Sequence, residues 1–461
     1  MASKSSTVSP ARREAFAILL EVERAKAHSD DLLRSPRVSA LSAQDRNLCT
    51  TLVMDVLRWQ IRLDALIRSL LSKPNARLDP EIQIALRLGA FQLQYLDRIP
   101  AHAAIGESVA LAKQAGHKFA SGMVNAVLRK VAAQPKLSPL PEASLNPKEL
   151  AEATAQPAWL VERWVAHYGI EAARAICEHG QRQPELAIRL DNAELEAEIT
   201  TQGIVLERGA ILTAARRVVS GDITTTTAFR TGRLRIQEEG SQLIAELAGH
   251  GSSILDSCAA PGGKTLILAE LNPLARITAC EISPVRLKTL QARIAASAYA
   301  YQIEVQLADA TEFPGSPKYD LILADVPCSG TGTLGRNPEI RHRLEPADLI
   351  RHHDRQCAIL RGALRVGTDR VIYSTCSLEP EENSAVITEV LGEAHNWHQI
   401  SIAEILNELH EEGRIAPEVA RILQDAIAPD SSLTILPGSL GPEIATGGFF
   451  IAVLGKRTPA P

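Results

Sequence analysis

The chain has 461 residues, enough for about three domains. Apolar residues make up 45% and charged residues 22%, a globular balance that excludes collagen-like, disordered and low-complexity classes. The net charge of −5 excludes a wholly basic nucleic-acid binder, and seven Cys without a CxxC pair exclude a disulfide scaffold or a zinc ribbon. A reduced, cytoplasmic location follows as the expectation. No apolar run approaches the roughly 20 residues of a membrane span. The stretch Met1 to Ser9 is polar with one Lys, so no secretory leader and no membrane contact are expected. The charge is uneven: residues 1–150 hold 21 Lys+Arg against 14 Asp+Glu, a balance of +7, and the remaining residues carry −12. A basic first third on an acidic remainder fits an appended polyanion-binding module.

Residues 1–134 read as helices. Leu48, Leu52, Val53, Val56, Leu57 and Ile61 recur at helical spacing behind a Ser42/Asp45 capping box. Asp79-Pro80 starts a second helix with Ile84, Leu88 and Phe91 on one face. Phe119, Met123, Val127 and Val131 form a further stripe, and a compact helical bundle with these stripes as core is the expected product. Residues 135–149, with Pro135, Pro139, Pro141 and Pro147, read as a Pro-rich linker. A helical pattern returns at Ala158 (Leu160, Val161, Trp164, Val165, Tyr168). The short runs Leu186–Leu190, Arg217–Val219 and Leu234–Ile236 around the helix-like Ala193–Gln202 make 150–240 a small α+β unit.

From 241 to 461 short apolar strands alternate with helical stretches, which predicts a parallel, doubly wound sheet. The strands are Ile254-Leu255, Arg276–Cys280, Ile303–Leu307, Tyr319–Ala324 and Arg370–Tyr373. Ligands in such sheets bind beyond the strand C-termini, and the chemically distinctive residues of this chain stand there. After the first strand, Asp256-Ser-Cys-Ala-Ala-Pro-Gly-Gly-Lys-Thr265 supplies a turn that lets a ligand approach the backbone, followed by a helix N-terminus. It falls short of a phosphate-binding P-loop because Cys258 stands where GxxxxGK[ST] needs Gly. Glu281 closes the next strand, eighteen residues after Gly263, where a carboxylate accepts both ribose hydroxyls. Asp309 ends the third strand, beside the place of an adenine ring. Acids around a nucleoside suit a cationic cofactor, and S-adenosylmethionine carries a sulfonium and no phosphate. The fourth and fifth strands end in Asp325-Val-Pro-Cys-Ser-Gly-Thr-Gly332 and Ser374-Thr-Cys-Ser-Leu-Glu-Pro-Glu-Glu-Asn383. Two cysteines, Cys328 and Cys376, thus fall at the active ends of adjacent strands. The pair His352-His353 has no third ligand nearby in sequence, and no metal site is expected.

These three motifs resemble those of the RNA cytosine-5 methyltransferases over roughly residues 235–456, beginning with Ile236-Gln-Glu-Glu-Gly-Ser-Gln242. Residues 1–134 resemble a NusB-type RNA-binding domain. The resemblance implies an all-α NusB-like head, a small RRM-like α+β middle unit and a Rossmann-like class I methyltransferase domain. It implies that Cys258, Ala259, Ala260, Pro261, Gly262, Gly263 and Lys264 form the cofactor loop. Glu281 then holds the ribose, Asp309 lies near the adenine, and Asp325 borders both cofactor and target base. Cys376 matches the nucleophile and Cys328 the cysteine that assists product release. The sequence departs from the family at Gly447 of Gly447-Gly-Phe-Phe450, commonly Asp, at His342, commonly Trp, and at Glu281, commonly Asp.

The chemistry accounts for the sulfurs. Carbon 5 of cytosine is a poor nucleophile until a thiolate adds at carbon 6. The expected partner is RNA, 16S ribosomal RNA or a small-subunit precursor, bound by a monomer. Two other readings compete with this one: a P-loop nucleotide hydrolase, and a non-catalytic RNA-binding protein of antitermination type using the head alone.

Overall fold

The computed structural model describes all residues except 1–7, 25–27, 138–145, 191, 442–443, 445 and 458–461. Pro139 and Pro141 of the predicted linker, and most of the polar N-terminus, lie outside the described residues. The chain divides into two compact units: Met1–Gln183 with Leu334–Arg343, and Pro184–Thr333 with Leu344–Pro461. Among the described residues no helix is long and apolar enough to cross a membrane.

The first unit is helical. Its helices Pro10–Glu23, Ala43–Leu70, Pro80–Tyr95, Ala101–Gln114 and Ser121–Ala132 bury the predicted stripes, with Leu52, Val53, Val56, Leu57, Ile84, Leu88 and Phe91 all in the core. The Ser42 hydroxyl accepts from the Asp45 amide at 3.1 Å, so the cap forms. Asp79 makes no side-chain cap, and the fixed φ of Pro80 is what starts the next helix. The stripe through Phe119 is corrected. Its helix begins at Ser121, so Phe119 precedes it and is fully exposed, while Val127 and Val131 are buried. Helices Pro147–Ala153 and Ala158–His179 follow, the second interrupted at Gly169, whose φ is +81°.

Ten residues from far along the chain complete this unit. In Leu334–Arg343, the buried Arg341 donates to the carbonyls of Arg58 (3.1 Å) and Gly180 (2.9 Å). Glu339 accepts from the amide (3.0 Å) and hydroxyl (2.9 Å) of Ser29. His342, at the family's Trp position, donates from Nε2 to the Leu57 carbonyl at 2.7 Å.

The second unit opens with an antiparallel sheet of β1 (Leu186–Arg189), β2 (Val205–Arg208), β3 (Ala215–Ser220) and β4 (Arg235–Ile236), in the order β2-β3-β1-β4. Strand β2 is largely exposed, which is why hydropathy did not reveal it. The larger sheet contains β5 (Ser253–Asp256), β6 (Arg276–Glu281), β7 (Ile303–Leu307), β8 (Tyr319–Asp325), β9 (Gly367–Thr375), β10 (Trp397–Ile400), β11 (Leu433–Ile435) and β12 (Phe449–Lys456). Its order is β10-β12-β9-β8-β5-β6-β7, with β11 beside β12. The five predicted strands pair in parallel, and β10, β11 and β12 add an antiparallel flank. The chain winds outward from β5 through β6 and β7, then returns to β8 on the other side. The C-terminal end between β5 and β8 is therefore the topological switch point, where such sheets open a crevice.

Burial lowers the His342 pKa to about 4, against an unfolded value of 6.5, and the Leu57 carbonyl only partly opposes that shift. The native imidazole is neutral while the unfolded chain takes up a proton below pH 6.5, so this contribution to stability is complete above 6.5 and is lost as pH falls toward 4. His342→Gln keeps a donor for the Leu57 carbonyl and does not titrate. Thermal melts of the variant are expected to fall less steeply than wild type across that window; parallel curves contradict the assignment.

Candidate active site

Strand β5 ends at Asp256, and the chain turns back through Cys258–Gly262 before the helix Gly263–Leu271. Two backbone bonds shape the turn: the Ala259 amide donates to the Cys280 carbonyl at 2.8 Å, and the Gly262 amide to the Ala259 carbonyl at 2.6 Å. Gly262 has φ +98°, and a Cβ there would stand 2.8 Å from Leu290 Cδ1. The loop separates two recesses. One, of about 120 Å³, is lined by Gln237, Asp256, Cys258–Pro261, Gly263, Lys264, Arg293 and Asp325, among others. The other, of about 80 Å³, is lined by Cys258, Glu281, Ile282, Asp309, Ala310 and Pro327, among others. All the predicted loop residues except Gly262 line one or both; Gly262 faces Leu290 instead and makes the bend.

Glu281 is buried at the end of β6, with one oxygen accepting from the Ser283 amide at 2.8 Å and Arg286 3.6 Å from the other. Asp309 accepts from the Thr311 amide (2.9 Å) and hydroxyl (2.8 Å), so it caps a short turn and lines the recess at once. Asp256 is fully buried. Its Oδ2 accepts from the Thr265 hydroxyl at 2.7 Å, while Oδ1 has no protein partner. Burial pushes its pKa up to about 7, with Asp325 adding to the shift against the Thr265 bond and Lys264. A buried acceptor without a partner beside a glycine turn is a place for a ligand donor.

The two cysteine motifs meet because of strand register. In the parallel pair β8/β9, Asp325 stands opposite Ser374. Each cysteine follows within three residues of that pair, and their Sγ atoms lie 3.3 Å apart. Cross-loop bonds lock the arrangement: Val326 amide to Ser374 carbonyl at 3.0 Å, Gly332 amide to Cys376 carbonyl at 2.9 Å, and Leu378 amide to Thr331 hydroxyl at 2.9 Å. The Cys328 thiol is raised well above its ordinary pKa, first by its hydrogen bond with Cys376, then by burial and by the charges of Cys376 and Glu382. Cys258, a third sulfur nearby, is pushed up to about 12 chiefly by burial and so is held as a thiol.

Lys264 ties the loop to the second motif: its Nζ is 2.7 Å from Asp325 Oδ2, and Asp325 Oδ1 accepts from the Ser374 hydroxyl at 2.8 Å. Burial works against the ammonium, but Asp325, with help from Cys376 and Asp256, raises its pKa. Sequence reasoning did not single out Gln237, Ser374 or Arg286, whose guanidinium donates to the Ala260 carbonyl at 2.6 Å. Gln237 and Ser374 lie within the stretches Ile236–Gln242 and Ser374–Asn383, yet only neighbouring strands and helices reveal their contacts. At the departure from the family's Asp, the Gly447 amide donates to Glu238 at 2.7 Å and the Gly448 amide to the Gly332 carbonyl at 2.8 Å. A Cβ on Gly447 would stand 3.0 Å from that carbonyl. Elsewhere, His353, Cys357 and Glu389 bring ligand-type atoms within 4.8 Å of one another, but Arg361 also binds Glu389 at 2.9 Å.

Comparison with known proteins adds three family matches. Residues 246–454 match the 16S rRNA methyltransferase RsmB/F model, 9–133 the NusB family, and 156–213 the ferredoxin-like domain of RsmF/B-like methyltransferases. The chain is 33% identical to the probable ribosomal RNA small subunit methyltransferase B of Bacillus subtilis, over 96% of this chain and 98% of that one. It is 32% identical to ribosomal RNA small subunit methyltransferase B of Pseudomonas syringae pv. tomato, over 80% and 83% respectively. In fold it resembles the crystal structure of PH0851, with a TM-score of 0.78 at 22% identity, covering 98% of this chain and 100% of that one.

Replacing Gly262 with Ala places a side chain at positive φ against Leu290, at a cost of about 1–2 kcal/mol. Chemical denaturation is expected to show a lower midpoint with an unchanged slope, and an unchanged midpoint contradicts the tight turn.

Proposed function

The chain belongs to the 16S rRNA methyltransferase RsmB/F family, and we propose that it methylates carbon 5 of a cytosine in small-subunit ribosomal RNA through a covalent cysteine adduct. One observation carries the reading: two sulfurs in contact at 3.3 Å, just beyond the ends of adjacent parallel strands, beside the glycine loop. S-adenosylmethionine, when bound, supplies the electrophilic methyl group. The loop residues Cys258–Lys264 would hold it, with Glu281 at the ribose and Asp309 near the adenine. The fit rests on the two recesses either side of the loop and on the orphaned Asp256 oxygen within the first.

The Cys376 thiolate adds to carbon 6 of the base, forming a C–S bond and moving the ring's electron pair to carbon 5. Asp325 hydrogen-bonds the base edge while Lys264 holds the carboxylate in place. After carbon 5 has gained its methyl group, a base takes the carbon-5 proton; the electron pair reforms the 5,6 double bond and expels the Cys376 sulfur. The 3.3 Å contact supports this division of labour: the two sulfurs share one hydrogen bond, so one can keep a proton while the other reacts. The target base must be unstacked or single-stranded to reach a sulfur set in a turn. The helical head, with the basic share of the charge, would bind RNA phosphates with a strong salt dependence.

Cys376→Ala is expected to abolish methyl transfer while S-adenosylmethionine still binds by calorimetry. Cys328→Ala is expected to accumulate a protein–RNA adduct on a denaturing gel. An adduct that requires Cys328 and survives loss of Cys376 reverses the two roles. Binding of RNA without binding of S-adenosylmethionine favours the non-catalytic reading instead.

A further inference from the structure

Glu382 is fully buried in the short turn Pro380–Glu382, near the end of the Cys376 motif. Its hydrogen-bond partners are all neutral. Oε1 accepts from the Ser329 amide at 2.8 Å and from the Gln356 side-chain amide at 3.0 Å. Oε2 accepts from both the Ser329 and the Ser377 hydroxyls, which lie 3.0 Å from each other. Its backbone is held as well, because the Tyr373 hydroxyl donates to the Glu382 carbonyl at 2.6 Å. A buried carboxylate with no counter-cation is costly to keep, and an apolar side chain would fill the space more cheaply. What its four acceptances achieve is specific. Ser329 follows Cys328 and Ser377 follows Cys376, so one rigid carboxylate grips the neighbour of each sulfur.

We propose that Glu382 is the positioning residue that sets the separation of the Cys328 and Cys376 sulfurs by clamping Ser329 and Ser377. The proposal rests on reading those cysteines as the reacting pair. Strand register brings the two loops side by side, but beyond the strand ends register no longer constrains them. The Glu382 clamp acts there, where the sulfurs need a fixed spacing if Cys328 is to serve an adduct held by Cys376.

Two measurements on the full-length reduced protein test this. The first is oxidation by diamide, in which the two thiols give up their hydrogens to the azo bond and one S–S bond forms; alkylation and mass spectrometry follow the Cys328–Cys376 link. The second is steady-state methylation. In Glu382→Ala, cross-linking is expected to slow about fivefold and kcat to fall about tenfold, with KM for RNA and for S-adenosylmethionine within about twofold. Glu382→Gln is expected to recover both rates to within about threefold, because its oxygen accepts from Ser329 and Gln356 and its NH2 donates to the two hydroxyls. A residue that only stabilised the fold would lower the melting temperature without slowing the cross-link. Glu382→Ala cross-linking at the wild-type rate therefore overturns the proposal. If that variant does not fold, Ser377→Ala decides: a slower cross-link supports the clamp, and a wild-type rate overturns it. Cross-linking needs neither RNA nor cofactor. Glu382-dependent cross-linking in a protein that methylates no cytosine would thus refute the reaction and leave the clamp standing.

Discussion

The pairing of β8 with β9 in parallel, Asp325 against Ser374, is the constraint from which the site follows. Parallel neighbours run in the same direction, so both strands deliver their C-terminal residues to one edge of the sheet. Motifs separated by some fifty residues of chain therefore end side by side, and two sulfurs come into contact. An antiparallel pair, or a slip of one residue, would send one cysteine to the other edge or the other face. The strands are apolar and buried because helices cover both sides of the sheet, so the same burial that holds the fold also holds this register.

Around that register, charge is arranged economically. Asp325 sits between Lys264 and Ser374, linking the glycine loop to both cysteine strands with a single carboxylate. Asp256 behind it is driven toward neutrality by burial, which spares the recess a second full negative charge close to the first. Lys264 keeps its proton because its acidic neighbours outweigh the cost of burying it. Each recess pairs acids with basic side chains: Asp256 and Asp325 with Lys264 and Arg293 in one, Glu281 and Asp309 with Arg286 and Arg355 in the other.

Much of this was legible in the chain. Proline and glycine mark the turn at 261–263, short β-branched runs mark the five parallel strands, and the chemically distinctive residues fall at their ends for a topological reason. Helical periodicity marked the bundle, although a stripe through Phe119 crossed a helix boundary that periodicity does not sense. Strand β2 escaped notice because most of its residues face solvent. The antiparallel flank of β10, β11 and β12 escaped because its central strand β12 pairs with β10 across two intervening helices.

Local chemistry decides what lies within a few residues: caps, turns, strand and helix periods, and which residue types stand at a strand's end. For this protein that was enough to read the head, the glycine loop and both cysteine motifs, because each is a contiguous stretch. Tertiary structure alone decided the rest. That Leu334–Arg343 packs with the helical unit, that Asp256 has an oxygen without a protein partner, and that Glu382 binds the neighbours of both sulfurs are facts about groups distant in sequence. Hydrogen bonds and burial depend on distances in space, and a linear pattern carries those only where the chain is its own neighbour.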